Sequence, residues 1–403
     1  MRVKASDLLL VGIVSTAWSI SLLRKSLTVY PHSHPQFFDQ PIDDPYDNAL
    51  LRTASNHTKP PNNSTNAGDT EDIIETVLII ATAPYKADHV IALWTHLECI
   101  TSGIDKVLIS APDTPWSREI ILALVEKFNQ LLRESNNTTL DIDTSFHTNN
   151  RYDVGLWCDG LGLHLGFDGH HFPDRDAAGA PPRAIFLIND STIALRQYTS
   201  LTDRIVKSSR MEQLQNQKNE TPTTPVNNNN AKLVSLNGNL IEPGQTKNYW
   251  VESVYRGFTP RAISTFYQHS CTAAAGRACV GKIGNDKKKC IVNRYEKSLA
   301  DAFLPSEVDA IYPSYMPKEW ENFGQIGSMD QWIGGRNYFR YLYEAHDFPF
   351  RKVKWPGKGA PAPPKSQCIK LLYFDSWFHQ LPYPSGEVFK AYQEAMLKSE
   401  STL

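Results

Sequence analysis

The sequence predicts an α/β fold with a mostly parallel central sheet flanked by helices. Three observations carry that expectation. Two uninterrupted apolar runs, at residues 75–82 and 106–110, are each followed by a segment with helical spacing. A third run, residues 184–188, leads straight into the polar tripeptide Asn189-Asp190-Ser191. Strands that are apolar on both faces belong inside a sheet covered on both sides, which is the habit of parallel strands. Strands alternating with helices reach that arrangement through right-handed crossovers.

Taken in order, the chain begins Met1-Arg2-Val3-Lys4, then carries an apolar run over residues 8–23 closed by Arg24 and Lys25. As a helix this run is about 24 Å long, close to the thinner membranes of the early secretory pathway. It has no polar face and no clean small-x-small cleavage site, so the expectation for residues 1–25 is a cytoplasmic tip and a signal anchor that stays in the membrane. Residues 26–72 are rich in Pro, Asn, Asp and Ser, the composition of a disordered stem. Residues 73–395 form the expected α/β body. Acceptor triplets for N-glycosylation at Asn56, Asn62, Asn63, Asn136, Asn137 and Asn219 lie in polar stretches and put that body on the lumenal side. The triplet at Asn189 is read as buried and unmodified.

Within the body, Val90, Leu93, Trp94 and Leu97 have the spacing of one helix face, as do Ile120, Ile121, Leu124, Val125, Phe128 and Leu131. Residues 149–160 enter a helix through Leu156, Trp157, Leu161 and Leu165, with Asp153 in the first turn, where the helix dipole favours a carboxylate. Asp168-Gly169-His170-His171 sits in a Gly/Pro loop, where adjacent histidines are more often solvent-exposed than metal-binding. Residues 208–247 are polar and Asn-rich, and read as a flexible insertion holding a hairpin across Asn237-Gly238. A strand is expected over residues 249–258 and a helix over 260–269. The C-terminal third is rich in aromatics and proline.

The chain has 403 residues, a net charge of −2 and no basic stripe beyond Lys287-Lys288-Lys289, which excludes nucleic acid as an expected partner. Six cysteines in a lumenal body permit disulfides. Cys271, Cys279 and Cys290 are close enough for a local bridge, whereas Cys99 and Cys158 lie in apolar surroundings and read as core residues. No CxxC pair suggests structural zinc.

The polar tripeptide after residue 188 stands where open α/β sheets bind ligands, outside the carboxyl ends of the strands. The plainer reading is an Asx-type turn. Five stretches together resemble the rhamnan-synthesis F type of glycosyltransferase: Asn150-Arg151-Tyr152-Asp153-Val154-Gly155, the run ending in Asn189-Asp190-Ser191, Glu252-Ser253, Asn293-Arg294-Tyr295-Glu296-Lys297-Ser298-Leu299, and Phe348-Pro349-Phe350-Arg351-Lys352. Tyr152 stands where that family tends to have glycine, and Glu252 where it tends to have glutamine. The resemblance implies a GT-A-like (Rossmann-type) domain that moves a sugar from a nucleotide-sugar donor to a glycan or glycoprotein acceptor, in the Golgi or ER membrane as a single-pass type II protein.

Such chemistry leaves extra negative charge on a diphosphate, which a divalent cation (Mn²⁺ or Mg²⁺) or basic side chains must stabilise. Asp190 is the candidate metal ligand, and Arg151 or Arg256 the candidate replacements for a metal. The donor-binding residues expected are Asn150, Arg151, Asp153, Asn189, Asp190, Ser191 and Ser253. Glu296, Glu252 and Asp330, in that order, are the candidate bases toward the acceptor hydroxyl. The alternatives are a lumenal carbohydrate-binding pseudoenzyme and a glycoside hydrolase, which needs two facing carboxylates about 5–10 Å apart.

Overall fold

Apolar residues on both faces of the first strands dictate a sheet sandwiched between helices. The computed structural model describes residues 74–135, 140–148, 151–173, 181–218, 231–239, 250–251, 253–276, 279, 282, 284–313, 343, 348–354, 362–368 and 377–398. Strand β1 (Glu75–Ala81) lies between β2 (Lys106–Pro112) and β4 (Arg183–Asn189), and β3 (Asp141–His147) adds to the outer side of β2, all four parallel. The register sets Val77 beside Ile185 and Ala81 beside Asn189. Helix α1 (Ala87–Cys99) joins β1 to β2, and α2 (Pro115–Glu134) joins β2 to β3. Thr114 caps α2 by accepting from the Ser117 N–H, and Pro115 follows at the first helical position, where its missing N–H costs nothing.

Alternate side chains of these strands bury into two separate cores. Leu78, Ile80, Val107, Ile109, Phe186 and Ile188 pack with Trp94, Leu97, Ile120 and Phe128 of α1 and α2. Val77, Ile79, Leu108, Ile185 and Leu187 pack with Val154, Leu156 and Trp157 of α3 (Tyr152–Asp159) on the other face. The helices therefore change faces where the chain, having built outward from β1 to β3, returns to place β4 on the far side of β1. That gap between β1 and β4 is a topological switch point.

Beyond β4 the sheet becomes mixed. Its order is β3-β2-β1-β4-β8-β6-β7, with β9 also paired to β6. Helix α4 (Ser200–Lys218) crosses behind β4, β6 (Leu233–Asn239) and β8 (Tyr255–Phe258). It approaches β8 so closely that a Cβ on Gly257 would lie 2.5 Å from Ile205, so glycine is required there. Then come β7 (Trp250–Val251), α5 (Pro260–Ser270), α6 (Ala273–Gly276), α7 (Gly284–Ile291), a π-helical turn over Val292–Lys297 and β9 (Val308–Pro313). A separate two-stranded ladder pairs β5 (Thr192–Ala194) with β10 (Phe350–Lys352) antiparallel, and α8 (Gly386–Lys398) ends the described chain.

Three expectations are corrected. Two parts of the stretch read as a flexible insertion are regular elements: residues 208–218 continue α4, and Asn237-Gly238 is not a turn but part of β6, with Gly238 beside Val251 of β7 and Pro313 of β9. The strand expected over 249–258 is two short strands, β7 and β8. Cys99 and Cys158 are buried as expected but form disulfides, Cys99 with Cys368 and Cys158 with Cys271, while Cys279–Cys290 is the local bridge. The anchor and stem expected over residues 1–72 lie outside the described residues. Among the described residues no helix is long and apolar enough to cross a membrane.

Candidate functional site

The end of β4 delivers its polar residues to the switch point, and the pleat decides where each one goes. Successive side chains of a strand leave on opposite faces. Asn189 turns toward α3, where its Nδ2 donates to Asp153 Oδ2 at 2.9 Å. Its Oδ1 accepts from the Ser191 N–H at 3.1 Å and from the Ser191 hydroxyl. The Asx turn anticipated from sequence is therefore real, and it presents Ser191 beside Lys352, whose Nζ lies 3.5 Å from Ser191 Oγ. The β5–β10 ladder sets that approach, with Lys352 opposite Thr192 and the Val353 N–H donating to the Ser191 carbonyl at 2.9 Å. Carboxylate, amide, hydroxyl and ammonium thus form one chain along the sheet edge. Asp153, Ser191 and Lys352 are half-buried.

Asp190 goes the other way, beneath the β1–α1 connection, and is 8% exposed. Its Oδ2 accepts from Thr82 Oγ1 at 2.8 Å and the Ala83 N–H at 3.2 Å, and lies 3.1 Å from His89 Nδ1. Burial pushes this carboxyl up, but the His89 charge and the hydrogen bonds from His89, Thr82 and Ala83 outweigh it, so the pKa falls below the ordinary carboxylate value. His96, fully buried on the same side, is lowered to about 4 by burial, against the opposing pull of the Asp190 charge and the Thr192 backbone.

A second polar group lies at the C-terminal end of α5. Arg151, 3% exposed, donates to the Ser270 carbonyl at 2.9 Å and so joins the start of α3 to the end of α5, which the Cys158–Cys271 bridge also ties together. His269 sits between Ser270 Oγ at 2.9 Å and Ser298 Oγ at 3.4 Å. Burial first, then the charges of Arg294 and Arg256, lower it to about 4. Ser253 is buried just before β8, and its neighbour Val254 accepts the Asn189 N–H at 3.2 Å.

The structure therefore brings together Asp153, Asn189 and Ser191 at the edge of β4 with Ser253 close by, places Arg151 at the end of α5, and sets Asp190 apart on the opposite face. Arg151, a candidate replacement for a metal, is engaged with the Ser270 carbonyl, and Arg256, the other, is fully buried in β8 between Leu187 and Ser235. Asp190, the candidate metal ligand, has its Oδ2 engaged by three protein groups. Among the described residues no three His, Cys, Asp or Glu side chains assemble as a ligand set. Asp168 instead caps its own loop, accepting from the N–H groups of His170 and His171, each at 2.7 Å. Asn150, Glu252 and Asp330 lie outside the described residues, as does the side chain of Glu296, whose backbone belongs to the π-helical turn.

Sequence reasoning missed Lys352, His89 and Thr82. Lys352 carried a signal, since it closes the last of the five matching stretches. His89 carried none.

No family model matches the chain, and no curated protein matches it by sequence. Among solved structures, the bifunctional glycosyltransferase WbbM matches over 61% of this chain and 40% of its own, at 9% identity and a TM-score of 0.30. The galactosyltransferase LgtC, solved with donor and acceptor sugar analogs, matches over 79% of this chain and 99% of its own, at 9% identity and a TM-score of 0.31. Mouse xyloside xylosyltransferase 1 matches over 72% of this chain and 100% of its own, at 12% identity and a TM-score of 0.29. The chain spans less than half of WbbM and nearly all of the other two. Similarity this low says nothing about chemistry, which is read below from the site itself.

Proposed function

We propose that the chain is a glycosyltransferase that moves a sugar from a nucleotide-sugar donor to a glycan or glycoprotein acceptor. The observation that carries this reading is the polar chain Asp153–Asn189–Ser191–Lys352 at the carboxyl edge of the sheet, at the switch point between β1 and β4. A donor bound there meets groups suited to each of its parts. Asp153 and Asn189 supply an acceptor and an amide for ribose or sugar hydroxyls, and Ser191 and Lys352 supply donors for phosphate oxygens.

Transfer breaks the bond between the sugar C1 and the diphosphate oxygen, which keeps the electron pair. C1 bonds to the acceptor hydroxyl oxygen, and that hydroxyl loses its proton. Donors fixed in advance along the edge favour the product charge without reorganising, the usual source of such catalysis. The expected assignment to the rhamnan-synthesis F type belongs to this proposal, on the strength of the matching stretches.

So do the anchor, stem and placement of residues 73–395 in the lumen of the Golgi or ER. They are supported by the apolar run at residues 8–23, by the acceptor triplets, and by the pairing of all six cysteines, since disulfides persist in oxidising compartments.

One observation favours the rival reading of a carbohydrate-binding pseudoenzyme: Asp190, the carboxylate within the polar tripeptide, is used by the fold. A glycoside hydrolase gains nothing from Asp153 and Asp190, since Asp153 belongs to α3 on one face of the sheet and Asp190 turns beneath the β1–α1 connection on the other.

The test is release of nucleoside diphosphate from a panel of nucleotide sugars by the purified chain. A transferase releases it with at least one donor and loses that release in Asn189→Ala. A nucleoside diphosphate at a hundred times its Kd also stabilises the fold by about 2.7 kcal/mol. Sugar binding with neither release nor nucleotide stabilisation would leave the pseudoenzyme standing.

A further inference from the structure

Helix α8 runs across the sheet, from the core on one side to the core on the other. Phe389 and Tyr392, in its first half, pack against the core on the α1 side. Toward its other end the Lys287 Nζ donates to the Met396 carbonyl at 2.9 Å. Lys287 belongs to α7, whose Ile291 is part of the core on the α3 side. With 13 residues, α8 is about 20 Å long, enough to pass from one layer to the next.

The edge it crosses is the one suited to ligands. Phe389 stacks on Tyr85 with ring centroids 3.7 Å apart, and Tyr85 lies just past the end of β1 at Ala81. Phe389 and Tyr392 both meet the Trp116 ring edge-on, just past the end of β2 at Pro112. Both footholds therefore lie outside the carboxyl ends of parallel strands, where open α/β sheets take their ligands. The Tyr85 ring also leads inward, 4.6 Å from the ring of His89, whose Nδ1 is 3.1 Å from Asp190 Oδ2. On the α7 side, Lys288 Nζ lies 5.8 Å over the ring of Tyr152, the neighbour of Asp153.

We propose that α8 is an autoinhibitory strap over the carboxyl ends of β1 and β2, and that a nucleotide entering beside the Asp153–Asn189–Ser191–Lys352 chain lifts Phe389 off Tyr85. The proposal rests on the transferase reading and adds a regulation to it.

The strap is lightly embedded. Between residues 386 and 396 eight positions are exposed, Phe389 and Tyr392 are half-buried, and Met396 is buried. A segment with so little burial opens at a small free-energy cost. Once lifted, a helix this short is marginal in water and frays. While the strap is down in most molecules, the apparent affinity for a ligand is reduced to the fraction that is open. An aromatic stack shifts such a balance by roughly twofold to tenfold. Loosening the catch therefore tightens binding, which a helix that serves only to pack cannot do.

Calorimetric titration of the purified full-length chain with uridine, guanosine, cytidine and thymidine diphosphates, each with and without Mn²⁺, tests this beside amide hydrogen exchange over residues 386–398. The expected result is that at least one diphosphate binds, that the α8 amides exchange faster in its complex, and that Phe389→Ala binds it threefold or more tighter. Phe389→Tyr keeps a ring on Tyr85 and should stay within about twofold of wild type. Binding seen in Phe389→Ala alone is the extreme of the same result. If the alanine variant does not fold, Phe389→Leu takes its place. Unchanged or weaker affinity in the folded variant, or α8 amides no faster in the complex, overturns the strap and leaves the transferase reading intact. No diphosphate binding by either chain overturns both.

Discussion

Asn189 and Asp190 are adjacent, yet they belong to regions with opposite habits. On the α3 face, Asn189 joins a half-buried chain of polar groups ending in a lysine, all near the surface. On the α1 face, Asp190 is enclosed, and its charge is balanced by an imidazole, a hydroxyl and a backbone N–H. The first arrangement can exchange its partners for those of a ligand. The second cannot do so without leaving a charge buried and unpaired. A short polar motif at a strand end is therefore not a single structural unit, because the pleat divides it between a half-buried face and a face that holds the fold.

The most severe way to break this comparison is Asp190→Ala, which strips three buried groups of their acceptor. Urea denaturation should show a loss of about 3–5 kcal/mol, whereas Asn189→Ala should cost about 1 kcal/mol and abolish nucleotide binding. Similar stability losses in the two variants would dissolve the distinction.

Both faces have covalent support, Cys99–Cys368 on the α1 side and Cys158–Cys271 on the α3 side. Removing the Cys158–Cys271 bridge, which spans 113 residues, should cost about 5 kcal/mol in a chain-entropy account. Thermal unfolding of Cys158→Ser/Cys271→Ser would measure it.

Acid should weaken the α1 face. His96 titrates near 4 in the fold and near 6.5 when unfolded, so its contribution is whole above pH 6.5 and drains away as the pH falls toward 4. The loss should reach about 3 kcal/mol, and His96→Leu should flatten it. Asp190 is lowered as well, so its contribution persists until the pH drops beneath the normal carboxylate range. A profile that is flat from pH 7 to 4 in wild type would contradict this.

The smallest effect is expected at Tyr152, which opens α3 at a φ of +55°, a left-handed conformation that glycine adopts without strain. Tyr152→Gly should relieve about 1 kcal/mol of strain and lose some ring contact, leaving the melting temperature nearly unchanged. Tyr152→Val should destabilise by about 1–3 kcal/mol.

How much of this was legible in the sequence depended on whether the pattern is local. β1, α1, β2 and α2 were clear because continuous burial and helical spacing are written within a dozen residues each. The polar rows of β3, an edge strand whose residues are mostly half-buried, concealed it. The second half of α4 was hidden because two of its inward positions, Ser209 and Glu212, are polar. Glu212 accepts from the Arg261 N–H at 2.9 Å, and burial pushes it up to about 7. Asn237-Gly238 gave a strong turn signal that pairing with β7 and β9 overrode. The strand end at Asn189 was legible, and so was the turn it makes. Its partners were not, because no local pattern tells Ser191 that it will meet Lys352, or Cys99 that it will meet Cys368.

That last bridge links residues 269 positions apart, and Lys352 reaches Ser191 from 161 positions away. A polypeptide made from its amino end can assemble β1 through β4 well before the ammonium and the closing sulfur emerge. Any property that needs Lys352 beside Ser191, or the covalent tie on α1, therefore waits for those later segments.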